Sequence, residues 1–212
     1  MNLELDHVFI LVEAEAKVAD ILLSLGMTES FSRNHEGQGT SNRRFEFSNG
    51  MLEFLWVRDK EEAVNGPGRD LHFPDREENK EFSPFGVILN RKDNSHSEMP
   101  FEGWKYQPDY FEPPMAFHIG ANSKNCLEPL CIYVPFIEHH TRSIEKGRFR
   151  AISNVKISTT SETLSDVLTA VDKADRITIA KGHEHLMEVV FDENNLGLSK
   201  DLRPDIPLIV HW

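Results

Sequence analysis

The sequence predicts an α+β protein in which a β-α-β-β-β unit occurs twice, once at each end of the chain. Three observations predict it. Asn42 to Val57 alternates apolar and polar residues on both sides of Asn49-Gly50 and reads as a β-hairpin. Leu5 to Val12 is rich in β-formers and leads into apolar positions at helical spacing. The same order of strand, helix and further strands returns after residue 150. The 212 residues read as one domain: module one about 1–57, an insertion about 58–149, and module two about 150–212.

In module one, Ala14, Val18, Ile21, Leu22 and Leu25 give an amphipathic helix over 13–25, and Gly26 suits its C-terminal cap. A short strand is expected around 27–33. The Gly-rich segment 35–40 then leads into the hairpin. Asn49-Gly50 favours a two-residue turn with positive φ, which sets Glu46 opposite Glu53 and Arg44 opposite Leu55. One hairpin face carries Phe45, Phe47, Leu52, Phe54 and Trp56 and calls for packing. The other carries Arg44, Glu46 and Glu53. Two carboxylates facing each other there call for a compensating cation or a shared proton.

Module two starts with a strand at 152–158. Thr159 and Glu162 have capping-box spacing before a helix over 164–171. Strands are expected at 176–180, 186–191 and 207–212. Laid on module one, Glu188 matches Glu46. In the insertion, the charged stretch to about Ser83 reads as loop. Residues 85–89, 115–119 and 129–135 read as strands, Trp104 to Pro114 as extended and irregular, and 137–149 as a loop or short helix.

Composition narrows the partners. A net charge of −12, from 23 basic and 35 acidic side chains, argues against nucleic acid. Only Cys126 and Cys131 are present, without a CxxC spacing, so a reducing, cytoplasmic setting is the expectation. No apolar run reaches membrane-spanning length, and no P-loop, GxSxG or GxGxxG suggests a nucleotide cofactor or a serine hydrolase.

His7 on the first strand and Glu53 in the hairpin carry a resemblance. Together with the stretches Gly37 to Phe45, Asn49 to Trp56 and Asp201 to Leu208, they make the chain resemble glyoxalase-like proteins of the vicinal oxygen chelate superfamily. That resemblance implies paired βαβββ modules curled into a cup, with helices outside and a metal inside. It implies His7 and Glu53 as ligands, with His211 substituting in module two, where Asn154 and Ile209 depart from the pattern. It implies a divalent Zn, Ni, Fe or Mn ion, with lyase or isomerase chemistry on a small keto or hydroxy metabolite. Glu46 or Glu188 would move the proton and Arg44 would orient an anionic group beside Asn42. The alternative it leaves open is a metal-free binding protein of the bleomycin-resistance kind. A homodimer through the cup's edges and a monomer whose insertion fills that space both stand open.

Several residues keep a structural alternative. Trp104, Tyr106, Tyr110 and Phe111 either line a pocket mouth or anchor the insertion. His118 and Glu128 are further ligand candidates. His183 and His185 have metal-like spacing but read as a solvated edge, and His139-His140 reads as surface.

Overall fold

The structure, a computed structural model, describes residues 3–92, 98–136 and 148–212. His139, His140 and most of the expected loop or helix at 137–149 lie outside the described residues. The fold is mixed α+β, with two open mixed sheets and few helices.

β1 (Leu3–Leu11) runs through the centre of the larger sheet. Its register slips between Leu5 and His7, a β-bulge at Asp6. One extra residue turns every later side chain to the opposite face. Leu3 and Leu5 therefore join the same core cluster as Val8 and Ile10, while Phe9 and Leu11 join the other. The bulge is what sends His7 to the face of Phe9.

The helix expected over 13–25 is interrupted. Glu15 and Ala16 have positive φ, and regular helix begins only at α1 (Ala19–Ser24), whose Ala19 and Leu22 are buried. β2 (Arg33–His35) follows, then β3 (Thr40–Phe47) and β4 (Gly50–Val57). Gly39 between them is required by its positive φ and by close approach, since an added Cβ would lie 2.4 Å from the Asp59 carbonyl oxygen.

The hairpin forms, but its register corrects the expectation by two residues. Phe47 pairs with Gly50, Arg44 with Glu53, and Glu46 with Met51. The turn is centred on Ser48-Asn49, and neither Asn49 nor Gly50 has a positive φ. The Asn49 side chain is committed elsewhere: it exchanges two 2.9 Å hydrogen bonds with the backbone of Ile152. Gly50 is needed for proximity, because a Cβ there would lie 3.1 Å from the Asp6 carbonyl oxygen. A slip of two preserves the faces, so the expected faces are right while the expected Glu46–Glu53 clash is replaced by an Arg44–Glu53 pair.

The first four strands pair in the order β2-β3-β4-β1, with β1 parallel to β4. The stretch to Ser83, expected as loop, instead holds α2 (Lys60–Asn65) and α3 (Phe73–Glu78). Asp59 caps α2 by accepting from Glu62 N at 3.0 Å, and Pro74 suits the first turn of α3. β5 (Phe85–Arg91), β6 (Gly103–Tyr106), β7 (Phe117–Gly120) and β8 (Leu130–Tyr133) complete the larger sheet, in the order β5-β8-β7-β6. β5 is parallel to β8 and lies antiparallel beside β1. The insertion thus repeats the pairing of β1–β4, strand for strand.

The C-terminal segment does not, which corrects the expected placement of the second unit. β9 (Ile152–Thr159), β10 (Ile177–Lys181), β11 (Leu186–Phe191), β12 (Ser199–Asp201) and β13 (Leu208–His211) form a separate sheet in the order β10-β9-β11-β13-β12. α4 (Asp166–Val171) returns β10 parallel to β9, whereas β2 in the first unit pairs with β3. Element order was matched, but pairing differs. The cap of α4 is Ser165, accepting from Leu168 N at 3.2 Å, and not Thr159, whose hydroxyl donates to the Leu127 carbonyl at 2.6 Å.

One apolar cluster joins the outer face of the larger sheet to α1, α4 and the second sheet. Arg176 fastens the two, donating to the carbonyls of Asn49 and Leu5 at 2.6 Å each. A separate cluster lies on the inner face of the larger sheet, where Leu71 and Phe73 cover it.

Candidate functional site

The inner face of the larger sheet encloses a cavity of about 180 Å³. Its polar wall comes from β1–β4. The bulged β1 supplies His7, β4 supplies Glu53, β3 supplies Arg44, and β2 with its following loop supplies Arg33, His35 and Gln38. Its apolar wall comes mainly from β5–β8 and neighbouring loops: Ile88, Ile132, Val134, Phe117, Phe111, Phe136, and the rings of Tyr106 and Tyr110.

Glu53 is the hub of the polar wall and is only 5 % exposed. Asn42, fully buried beneath it, donates its amide to Glu53 Oε1. Arg44 Nε stands 3.6 Å from the same oxygen, and His7 Nε2 stands 3.6 Å from Oε2. His7 Nδ1 meets Asp6 Oδ2 at 2.5 Å. Held between two carboxylates, the imidazole can donate to both when protonated. When neutral, with Nδ1–H on Asp6, it keeps the Nε2 lone pair for an incoming proton.

The Arg44 guanidinium makes no hydrogen bond to a described residue; its buried Nε is without one, and its carbon lies 4.7 Å from the Phe31 ring centre. Its donors are therefore not used up by the fold. Arg33 lies over the Tyr110 ring at 4.6 Å, adding a second cation on the β2 side. His35 is fixed by Thr40 Oγ1 at 2.9 Å from Nδ1, and burial pulls its pKa down to about 4. Burial likewise raises Tyr106 and Tyr110, which keeps both as neutral hydroxyls. The Tyr106 hydroxyl reaches Gln38 Oε1 at 3.5 Å.

The structure brings together His7, Glu53, Arg44, Asn42, Tyr106, Tyr110 and Phe111 of the residues selected from sequence. It separates the others. Glu188 and His211 sit on the second sheet, where Glu188 accepts from Lys156 at 2.8 Å and lies 3.5 Å from His211 Nε2. The Lys156 ammonium holds the Glu188 carboxyl below its ordinary range, outweighing burial, which acts in the opposite sense. Glu46 faces Met51 along the hairpin and does not line the cavity. His118 stacks on Phe101, with Nε2 2.9 Å from the Phe101 carbonyl, and Trp104 donates to Ser123 Oγ at 3.1 Å; both anchor β6 and β7 outside the cavity. Glu128 is also structural, accepting from the Ser165 backbone and hydroxyl.

Sequence reading passed over Asp6, Arg33, His35 and Gln38. The alternation of Arg33 and His35 was the available signal, hidden because residues 35–40 read as a Gly-rich loop. Asp6 carried none, since its role depends on the bulge.

The ligand set implied by resemblance fits poorly. The 3.6 Å between His7 Nε2 and Glu53 Oε2 would suit two donors on one ion. However, a guanidinium stands against that same carboxylate. The strands corresponding to β1 and β4 in the second unit present Ile88 and Ile132, which cannot ligate. Among the described residues no group of three or more His, Cys, Asp or Glu side chains is arranged to hold a metal ion.

No family model and no curated protein matches the chain. Among solved structures it is similar to a hypothetical protein from Staphylococcus aureus, with TM-score 0.57 and 14 % identity over 99 % of this chain and 98 % of that one. This likeness shows a shared fold. A hypothetical protein from Bacillus halodurans C-125 matches with TM-score 0.44 and 13 % identity, over 67 % of this chain and all of that one.

Proposed function

We propose that β1–β8 form a paired-module cup of the vicinal oxygen chelate type, and that this cup takes a small organic anion with a flat apolar body, without a resident metal. The identical pairing order in β1–β4 and β5–β8 supports the cup reading. The observation that carries the ligand class is the division of the cavity wall: Arg44 and Arg33, two cations against the one lining carboxylate of Glu53, on one side, and aromatic and aliphatic side chains on the other. Arg44 donates to the anionic group, Tyr110 and Phe117 pack against the body, and His7 is the proton-transferring group closest to the polar end.

The test is binding of phenylacetate and benzoate, followed by thermal shift and calorimetry, against the neutral amides of the same shape. Carboxylates should bind and amides should bind more weakly, with the difference lost in Arg44→Met. Equal binding of acid and amide would overturn the reading.

A second reading, metal-assisted lyase or isomerase chemistry, is favoured by the His7–Glu53 spacing alone. Elemental analysis of the native protein and of the His7→Ala, Glu53→Ala double variant separates the two. A stoichiometric transition metal lost in the double variant would support the second reading and refute the first.

A further inference from the structure

A larger hollow, about 1230 Å³, opens between the end of β1, α3 and the loops of the second sheet, and shares no lining residue with the cup. Two buried side chains in its wall leave hydrogen-bonding atoms unused. Arg76, 3 % exposed, donates from Nη1 to the carbonyls of Ser83, Cys126 and Glu128 at 2.9, 3.2 and 2.8 Å. Its Nε and Nη2 have no partner. Those two nitrogens form the side-on edge of the guanidinium, which grips an oxyanion through two parallel bonds.

His185, 8 % exposed, is the second. Its Nε2 lies 2.9 Å from the Glu81 carbonyl and 3.1 Å from Thr160 Oγ1. A carbonyl only accepts, so Nε2 carries the proton and Nδ1 of the neutral ring keeps its lone pair. That lone pair is also without a partner. Burial lowers the ring's proton affinity, against the hydrogen bond to the Glu81 carbonyl and with a smaller push from Arg76 in the same sense. The expected solvated edge at His183–His185 is corrected for His185, which is buried and held by Glu81 and Thr160.

A two-pronged donor and a single acceptor, on two side chains that line one groove, are complementary to a molecule that carries both a carboxylate and an ammonium. The groove's carboxylates, Glu77, Glu162 and Asp205 among them, favour the cationic end and oppose a plain anion. We propose that this groove binds a small zwitterion of amino-acid type, its carboxylate on the Nε/Nη2 edge of Arg76 and its ammonium donating to Nδ1 of His185. Both unused edges are shut off from water, so the ligand reaches them by displacing part of the groove lining. Leaving such groups unmet is costly, and pairing them is the gain that drives this.

The test titrates glycine, β-alanine and 4-aminobutyrate into the full chain, reading the His185 ring nitrogens by ¹⁵N resonance and the thermal midpoint. At least one zwitterion should saturate both signals. Propionate and propylamine, at matched ionic strength, should bind about tenfold more weakly or worse, since each lacks one charged bond. Arg76→Lys and His185→Phe should each remove the thermal response while leaving phenylacetate binding in the cup unchanged. Should Arg76→Lys fail to fold, His185→Phe alone decides. The proposal is overturned if no zwitterion saturates, if propionate matches the zwitterions, or if the response survives in His185→Phe.

Discussion

The two four-strand units of the larger sheet share a pairing scheme and differ in what they turn inward. β1–β4 present His7, Glu53 and Arg44, while β5–β8 present Ile88, Ile132 and Phe117. A backbone pattern repeated twice carries charged groups at the cavity in the first unit and hydrocarbon and aromatic side chains in the second, although Phe9, Met51 and Leu55 of the first unit also line it. Pairing geometry sets where side chains point, and residue choice sets what they can do there. On the proposed reading, a cavity with walls of these two kinds takes an amphipathic ligand.

Removing the hub of the polar wall should have the largest effect. Glu53→Leu leaves the largely buried Arg44 charge without its carboxylate and the Asn42 amide without its acceptor. A loss of about 3–5 kcal/mol is expected from chemical denaturation. A loss under about 1 kcal/mol would mean that the polar wall is no more cohesive than surface.

The acid side of the stability curve sharpens the same contrast. His35 is held near pKa 4 when folded and returns to about 6.5 when unfolded. The unfolded chain therefore binds more protons between these values. The contribution is fully present above pH 6.5 and is lost as pH falls towards 4, by about 3 kcal/mol in total. Denaturation midpoints of wild type and His35→Gln should diverge over that window, with the variant flatter. Parallel curves would contradict the assignment.

Next comes ligand affinity. Arg44→Met should weaken carboxylate binding in the cup by roughly tenfold to a hundredfold, the range of one charged hydrogen bond. Ile88→His asks whether the apolar unit can be made like the polar one. With His7 its direct neighbour across the strands, the new imidazole should raise Zn²⁺ affinity above wild type, as read by competition with a chromophoric chelator. No gain would mean that the facing strand does not share the cup.

The smallest effect belongs outside the cup. Glu188→Gln removes a half-exposed pair with Lys156 on the second sheet. It should change stability by less than about 1 kcal/mol and leave cup binding unaltered.

Much of the fold was legible because local patterns fix local elements. The alternation of Phe45, Phe47, Leu52 and Phe54 located the buried hairpin face, and His7 with Glu53 located half of the site. Pairing was not legible in the same way. Asn49 signals a type I′ turn, yet its side chain is taken by Ile152, 103 residues away, and the register moved accordingly. A helix pattern follows the strand after residue 150, which is why the sequence points to a second unit there. In the chain between β5 and β6, no such pattern marks the repeat. His211 and Glu188 were placed by matching element order, which carries no information about which strands lie side by side. Asp6 meets the His7 ring at a bulge that one sequence does not announce.

The most direct test of the account is calorimetric titration of phenylacetate into protein stripped with a strong chelator, beside Arg44→Met. The account predicts unchanged binding after stripping and a loss of at least about tenfold in the variant. Binding that disappears with the chelator and returns with added metal, or that is indifferent to Arg44, would contradict it.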